Sequence, residues 1–458
     1  MYEILKKYWG YTNFRDTQEE IIKNILKNKD CFVTLKTGGG KSIIYQVPSL
    51  IKSGTSIIIS PLIALMEDQV NSLISKDIKA VYLKSNLLPS QEKEIYKKIK
   101  EGFYKLIYLS PEKLSSKTIL NLLKSTNISM IVFDEAHCLN EWGDDFRPDY
   151  KRIAQNIKKE FNNIQVIALT ATITSETKLE LIKVLKMDNP FISTSSFDRK
   201  NIFLGVKKFW TILGKTKFLE NKIKSYKKTL VYCSSREETE IMSEKINHKL
   251  KIKSSFYHAG CDIELRKSIQ ESFKTGEIKC LFATTAFGMG IDISDIDLVI
   301  YWNCASSIEE YYQGIGRAGR NENIKANSWV IYTSKDLEYQ KRLINFEIPE
   351  KKLIENILKS LENNESVNKI KSKFKVSEIL INSIQLIYES NFNLDKKDIL
   401  KITIQNLMKI KENKSNKYKI FKNYLKYSKC KRKFILNYFS ENLELKCGNC
   451  SNCIKDLY

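Results

Sequence analysis

Two short clusters carry the residue types that do chemistry: Thr37-Gly38-Gly39-Gly40-Lys41-Ser42 and the pair Asp134-Glu135. Glycines let backbone N–H groups close around phosphates, and a helix opening behind them adds positive potential. Lys41 would then reach the β- and γ-phosphates and Ser42 would ligate Mg²⁺. Asp134 would complete the Mg²⁺ site, and Glu135 would polarise the attacking water. The chemistry is hydrolysis of a nucleoside triphosphate. The full phosphate-loop pattern has Gly at position 35, where this chain has Leu35.

Three further groups bear on the same reaction or its consequences. Trp142, Phe146 and Arg147 follow the carboxylates closely, so ring-stacking side chains and a cation lie near the metal-binding acid in sequence. Gln313, Arg317 and Arg320 fall in YYQGIGRAGR, where glycines permit close backbone approach and an arginine can stabilise charge on a transferring phosphate. Cys430 and Cys447-x₂-Cys450-x₂-Cys453 offer four thiolates, which suit a closed tetrahedral Zn²⁺ site; an iron–sulfur cluster is the alternative, and zinc is favoured. Of the three histidines only His137 sits in a motif, and it reads as a link from the nucleotide site to the neighbouring lobe.

Positioning these residues requires strands. Cys31–Leu35 precedes the glycine cluster, Met130–Phe133 precedes the carboxylates, and Ser56–Ser60, Leu106–Leu109 and Val166–Thr170 are similar apolar runs between amphipathic stretches. Alternation of this kind predicts a parallel sheet covered on both faces, with ligand chemistry at the carboxyl ends of its strands. A second alternating block, from about 201 to 335, has strands at Thr229–Tyr232, Lys279–Ala283, Leu298–Trp302 and Ser328–Tyr332, with a linker expected near 193–210. From 336 the pattern is helical and basic. Residues 367–390 show helix spacing interrupted at Lys375-Val376-Ser377, as in a helix-turn-helix or winged-helix piece.

The 458 residues suggest about three domains. A net charge of +23 points to a polyanionic partner, most simply nucleic acid. Residues 341–458 hold 25 basic and 13 acidic residues, so about half of that excess (25 − 13 = +12) lies in the last quarter. Within 411–433, Tyr418, Phe421, Tyr424 and Tyr427 interleave with lysines, and most of them read as core. No apolar run is long enough to cross a membrane, the start has no signal-peptide character, and scattered cysteines indicate a reduced, cytoplasmic setting.

In order along the chain stand GYTNFRDTQ, TGGGKS, SPLIALMEDQV, SPEKL, DEAH, WGDDFRP, LTATIT, VYCSSR, YHAG, ATTAFGMGID, QGIGRAGR and the CKRK…CGNCSNC tail. With these motifs the chain resembles the RecQ family of DNA helicases in helicase superfamily 2, from Tyr11 to Arg320 and again from Cys430 to Cys453. The resemblance implies an α/β architecture of two tandem RecA-like parallel-sheet lobes followed by a helical, zinc-binding C-terminal domain. The expected divisions are 1–200 (ATP-binding lobe), 201–335 (second lobe), 336–410 (helical insertion) and 411–458 (zinc-binding domain). It implies ATP- and Mg²⁺-dependent unwinding in the 3′ to 5′ direction, in DNA repair and recombination, on single-stranded and forked or tailed duplex DNA. Rival readings are a DEAH-type RNA helicase and a nucleic-acid-binding scaffold with weak ATPase.

By the same resemblance Tyr11, Arg15 and Gln18 match the adenine-recognition motif, with an aromatic stack and an amide able to read the base. Trp142, Phe146 and Arg147 match the loop that couples single-stranded DNA to the ATP site. Thr170 and Thr172 match the segment linking hydrolysis to strand movement, and Thr284, Gly290 and Asp292 match a motif touching DNA backbone and nucleotide in the second lobe. The chain departs from the family at Lys36, at Glu141 and Asp144 in the aromatic-rich loop, and at Asn321-Glu322. Arg320 and Cys430 are 110 positions apart (430 − 320), longer than in compact members. The winged-helix and HRDC domains that often follow the zinc module are expected to be absent.

Overall fold

The computed structural model describes residues 1–458 except 37, 62, 85–88, 140–147, 288–292, 294, 322, 347–348, 392–393 and 455–458. Thr37, Glu141, Trp142, Asp144, Phe146, Arg147, Gly290 and Asp292 therefore lie outside the described residues. The chain divides into two compact units, Met1–Ser196 and Phe197–Tyr458.

The first unit is built on seven parallel strands: β1 (Cys31–Thr34), β2 (Thr55–Ile59), β3 (Ala80–Tyr82), β4 (Leu106–Leu109), β5 (Ile128–Phe133), β6 (Val166–Thr170) and β7 (Phe191–Thr194). Their order across the sheet is β3-β4-β2-β5-β6-β1-β7. β1 lies beside β6 in parallel register, Thr34 opposite Thr170, so the ends of the phosphate-loop strand and of LTAT are adjacent. β1, β2, β4 and β6 are buried along their whole length, which is why they read as unbroken apolar runs. Core clusters lie on both faces. One includes Phe32, Ile57, Phe133 and Ala168, the other Val33, Ile58, Val132 and Leu169, as strand alternation requires.

The second unit repeats the plan with six parallel strands: β8 (Ile202–Lys208), β9 (Thr229–Tyr232), β10 (Ser254–Tyr257), β11 (Cys280–Ala283), β12 (Leu298–Tyr301) and β13 (Ala326–Tyr332), ordered β10-β11-β9-β12-β13-β8. The linker expected at 193–210 is shorter. β7 pairs with β1, and β8 pairs with β13 over Ile202–Lys208, so both ends of that span are sheet edges. The strands absent from the sequence reading are β3, β7, β8 and β10, the four edge strands. Each has partly exposed positions that break the apolar run.

After β13 the chain is helical: Ser334–Phe346, Lys351–Glu362, Val367–Phe374, Glu378–Ser390, the 31-residue helix Lys396–Lys426 and Lys431–Tyr438. The break expected near 375–377 is present. Lys375 adopts φ 54° and Ser377 caps the next helix by accepting from Leu380 N. No strand follows β13 among the described residues, so the winged-helix option has no wing. These helices instead bury Ile354, Ile357, Ile370, Ile381, Ile384 and Leu407 against one another. The boundary expected at 410/411 falls inside Lys396–Lys426, where no residue breaks the helix. The first half of that helix packs in this small bundle, while Phe421, Tyr424 and Leu425 join the core of the second sheet. Tyr418, Phe421 and Tyr424 are buried and Tyr427 is half-buried, so these aromatics are core rather than stacking platforms.

Candidate functional site

The glycine cluster leaves β1 and turns directly into the helix Lys41–Ile51. Gly40, the residue before that helix, has φ 74°, a left-handed conformation that glycine adopts without strain. A Cβ on Gly40 would also stand 2.5 Å from the Gln18 amide nitrogen. Gln18 is buried: its Oε1 accepts from Arg15 N at 2.9 Å, and its Nε2 donates to Gly39 O at 3.0 Å and Gly40 O at 3.2 Å. One side chain thus ties the segment expected to hold adenine to the loop expected to hold phosphate. A pocket lined by Leu5, Tyr11, Asn13, Arg15, Gln18, Gly40 and Ile43 opens beside it. The Tyr11 ring is 47% exposed with the Arg15 guanidinium 5.7 Å from its centroid, which leaves a ring face for a base.

Lys41 Nζ meets Glu135 Oε1 at 2.7 Å, with both side chains mostly buried. Glu135 has φ 48°, an uncommon backbone for a non-glycine residue and the kind of strain found at functional sites. Its N–H donates to Asp134 Oδ1 at 3.0 Å. Asp134 is anchored through its backbone: its N–H bonds Ile59 O at 2.9 Å, and Tyr150 Oη donates to its carbonyl at 2.6 Å. Burial first, then the neighbouring Glu135 charge, push the Asp134 carboxyl up to about 6. Asp134 thus offers a buried carboxylate at the end of β5, an oxygen donor of the kind a hard divalent cation takes.

His137 is buried, with Nδ1 2.9 Å from Thr170 Oγ1 and 3.4 Å from Glu135 Oε2. Thr170 Oγ1 in turn donates to Thr172 O at 3.2 Å. Lys41, Glu135, His137, Thr170 and Thr172 therefore form one continuous polar chain across the ends of β1, β5 and β6. The hydrogen bond from His137 to Thr170 reaches β6 of its own unit.

In the second unit Gln313 lies in the helix Ile308–Ile315, and Arg317 and Arg320 lie in the turns that follow. Gly314 packs under Tyr301, where a Cβ would stand 2.0 Å from the tyrosine oxygen. Arg199 and Asn201, which the sequence reading did not single out, hold the turn. Arg199 Nη2 donates to Ala318 O at 3.0 Å and Gly319 O at 2.7 Å, and Asn201 Nδ2 donates to Gly319 O at 2.8 Å. His258 is buried against Glu240, Nε2 to Oε1 2.7 Å, whereas His248 is exposed on a helix.

Cys430, Cys447, Cys450 and Cys453 place their sulfurs within 4.8 Å of one another, with Cys447 and Cys453 3.9 Å apart. Tetrahedral zinc with Zn–S bonds of about 2.3 Å needs sulfur separations of about 3.8 Å. Backbone N–H groups of Lys431, Lys433 and Asn449 point at the sulfurs of Cys450, Cys430 and Cys447 at 3.4, 3.5 and 3.3 Å, which favours thiolates. The Cys447 thiol, donating to Cys450, is the main cause holding Cys450 down to about 4. The donor set fits zinc.

Comparison with known proteins gives three family matches: DEAD/DEAH box helicase over residues 15–180, helicase conserved C-terminal domain over 214–322, and RecQ zinc-binding over 394–454. The probable ATP-dependent DNA helicase RecS of Bacillus subtilis is 33% identical over 463 residues, spanning 99% of this chain and 92% of that protein. The chain belongs to the RecQ family. ATP-dependent DNA helicase RecQ of Pasteurella multocida is 35% identical over 75% of this chain, and the chain spans about half (54%) of that relative. The RecQ zinc-binding match takes in most of the long helix as well as the four cysteines, and it supports zinc as their metal. Among solved structures, Mss116p bound to single-stranded RNA and AMP-PNP matches with TM-score 0.60 at 18% identity over 84% of this chain and 87% of that one. MrfA bound to DNA and AMPPNP matches with TM-score 0.59 at 18% identity over 75% and 52%. Those likenesses establish the two-lobed RecA-like fold of this RecQ-family chain.

Proposed function

We propose that this chain is an ATP-dependent DNA helicase that moves 3′ to 5′ on single-stranded DNA and unwinds forked or tailed duplexes, acting in DNA repair and recombination. The observation that carries the reading is the polar chain Lys41–Glu135–His137–Thr170. A γ-phosphate arriving at Lys41 competes with Glu135 for the ammonium. Once released, Glu135 can accept a proton from the attacking water. Its second oxygen remains beside His137, so a change at Glu135 is felt at Thr170 and Thr172 on β6. Ser42 and Asp134 would hold Mg²⁺, which would supply positive charge to the reacting phosphates. Tyr11, Arg15 and Gln18 would hold adenine, with Thr37, Gly38, Gly39 and Gly40 around the phosphates. Zinc held by Cys430, Cys447, Cys450 and Cys453 is structural.

Family resemblance supports roles for the remaining parts. Gln313, Arg317 and Arg320 would act on the γ-phosphate, Gly290 and Asp292 would serve nucleotide and backbone contact, and Trp142, Phe146 and Arg147 would stack on bases. No helix among the described residues is long and apolar enough to cross a membrane. A cytoplasmic setting is supported by the bacterial relatives.

Strand displacement on 3′-tailed, 5′-tailed and forked duplexes, with ATPase measured alongside, tests the proposal. Unwinding of 3′-tailed and forked substrates, with turnover stimulated more by DNA than by RNA, is the expected result. Greater stimulation by RNA, or displacement only from 5′ tails, would overturn it.

A further inference from the structure

The arginine-bearing turn is seated on the zinc module, through a short segment between them. Arg432, two residues after the zinc ligand Cys430, is buried. Its Nη1 donates to Asp198 Oδ1 and to Arg199 O, both at 2.7 Å, and its Nη2 donates to Ile202 O at 2.5 Å. Asn449, between Cys447 and Cys450, donates to Lys200 O at 2.9 Å. The segment so held presents Arg199, itself buried, whose guanidinium donates to Ala318 O and Gly319 O, the two carbonyls between Arg317 and Arg320.

A second set of contacts seats the helix that enters the turn. Glu309 Oε1 accepts from Tyr438 Oη at 2.8 Å and pairs with Lys417 Nζ at 2.9 Å. The Phe197 ring stacks on Phe439 with centroids 4.4 Å apart, and Tyr312 packs edge-on against Phe439. Tyr311 meets Phe421 and Tyr424 of the long helix.

We propose that Arg199 is a positioning residue for Arg317 and Arg320, and that Arg432 of the zinc module holds Arg199 in place. A side chain of the zinc module then acts on the rate of ATP hydrolysis without touching nucleotide, and does so with zinc still bound. The physical reason is geometric. Stabilising a transferring phosphate depends on where the charge is placed, and the backbone that carries these arginines is held by the buried Arg199 guanidinium together with Asn201. The inference rests on the proposed role of Arg317 and Arg320.

The test compares full-length Arg199→Lys, Arg432→Met and the milder Asp198→Asn with Arg317→Ala and Arg320→Ala. DNA-stimulated kcat and KM for ATP, bound zinc and thermal stability are measured on each. Misplacing a catalytic group by about 1 Å can cost roughly 100-fold, so kcat should fall roughly 10- to 100-fold in Arg199→Lys and Arg432→Met. KM should stay within about twofold and zinc at one ion per chain, and Asp198→Asn should show a smaller loss of the same kind. Adding Arg199→Lys to Arg317→Ala should lower kcat little further, because both act on one interaction. Unchanged kcat in folded Arg199→Lys or Asp198→Asn, losses that track zinc content, or losses that multiply in the double variant would each overturn the inference. If Arg317→Ala lowers kcat and Arg199→Lys does not, only the positioning role falls. If neither Arg317→Ala nor Arg320→Ala lowers kcat, the arginine role falls with it.

Discussion

Lys41 Nζ lies 2.7 Å from Glu135 Oε1, so the cation proposed to meet phosphate and the base proposed to act on water neutralise each other. Breaking this pair separates binding from hydrolysis. Glu135→Gln should lower kcat by about 10²- to 10⁴-fold, the usual worth of a general base. ATP affinity should hold or rise, because Lys41 then loses a competing carboxylate. Lys41→Ala should abolish turnover and unwinding. Equilibrium binding of a fluorescent ATP analogue beside steady-state ATPase checks both; full unwinding by Lys41→Ala would end the motor mechanism.

Gly40→Ala puts a methyl at φ 74° and against Gln18 Nε2. The strain and the clash both fall on the bond joining the base pocket to the phosphate loop. ATP affinity should drop by at least about tenfold, which corresponds to about 1.4 kcal/mol. The melting temperature should move little, since Gly40 is at a surface loop rather than in either core cluster. A large loss of stability with normal ATP affinity would contradict this account.

Asp134 has its folded pKa raised from 3.8 to about 6 by burial and by Glu135. Its contribution to stability is therefore fully present below its unfolded pKa and is lost as pH rises through the folded value. Without nucleotide or Mg²⁺, Asp134→Asn should melt a few degrees above the parent chain at about pH 7.5, and the difference should shrink as pH falls through about 6. The same variant should lack ATPase. Melting curves across pH decide it; an Asn variant less stable at neutral pH would show that the carboxylate is already compensated.

The zinc knuckle covers a sheet edge. Leu204 on β8 accepts from Ser451 N at 2.8 Å, and Val206 N donates to Ser451 Oγ at 3.3 Å. β8 is the outer strand of the second sheet, and an uncovered edge is a template for pairing with another chain. Removing zinc with a strong chelator, or Cys450→Ser, should lower the melting temperature and promote self-association visible by light scattering. A monomeric, equally stable zinc-free protein would contradict both roles.

Lys41, Ser42, Asp134 and Glu135 were legible in the sequence because each follows a strand whose last four residues are buried, so that an apolar run marks it without any partner. The four cysteines were legible through spacing alone. The edge strands β3, β7, β8 and β10 were not, since each has partly exposed positions that break that run. Tertiary structure alone decided that Arg199 would meet Gly319, 120 positions away, and that His137 would bond Thr170. Local periodicity sets which residues face a core. Which strand ends become neighbours follows from sheet order and from long-range packing, and no local pattern records that.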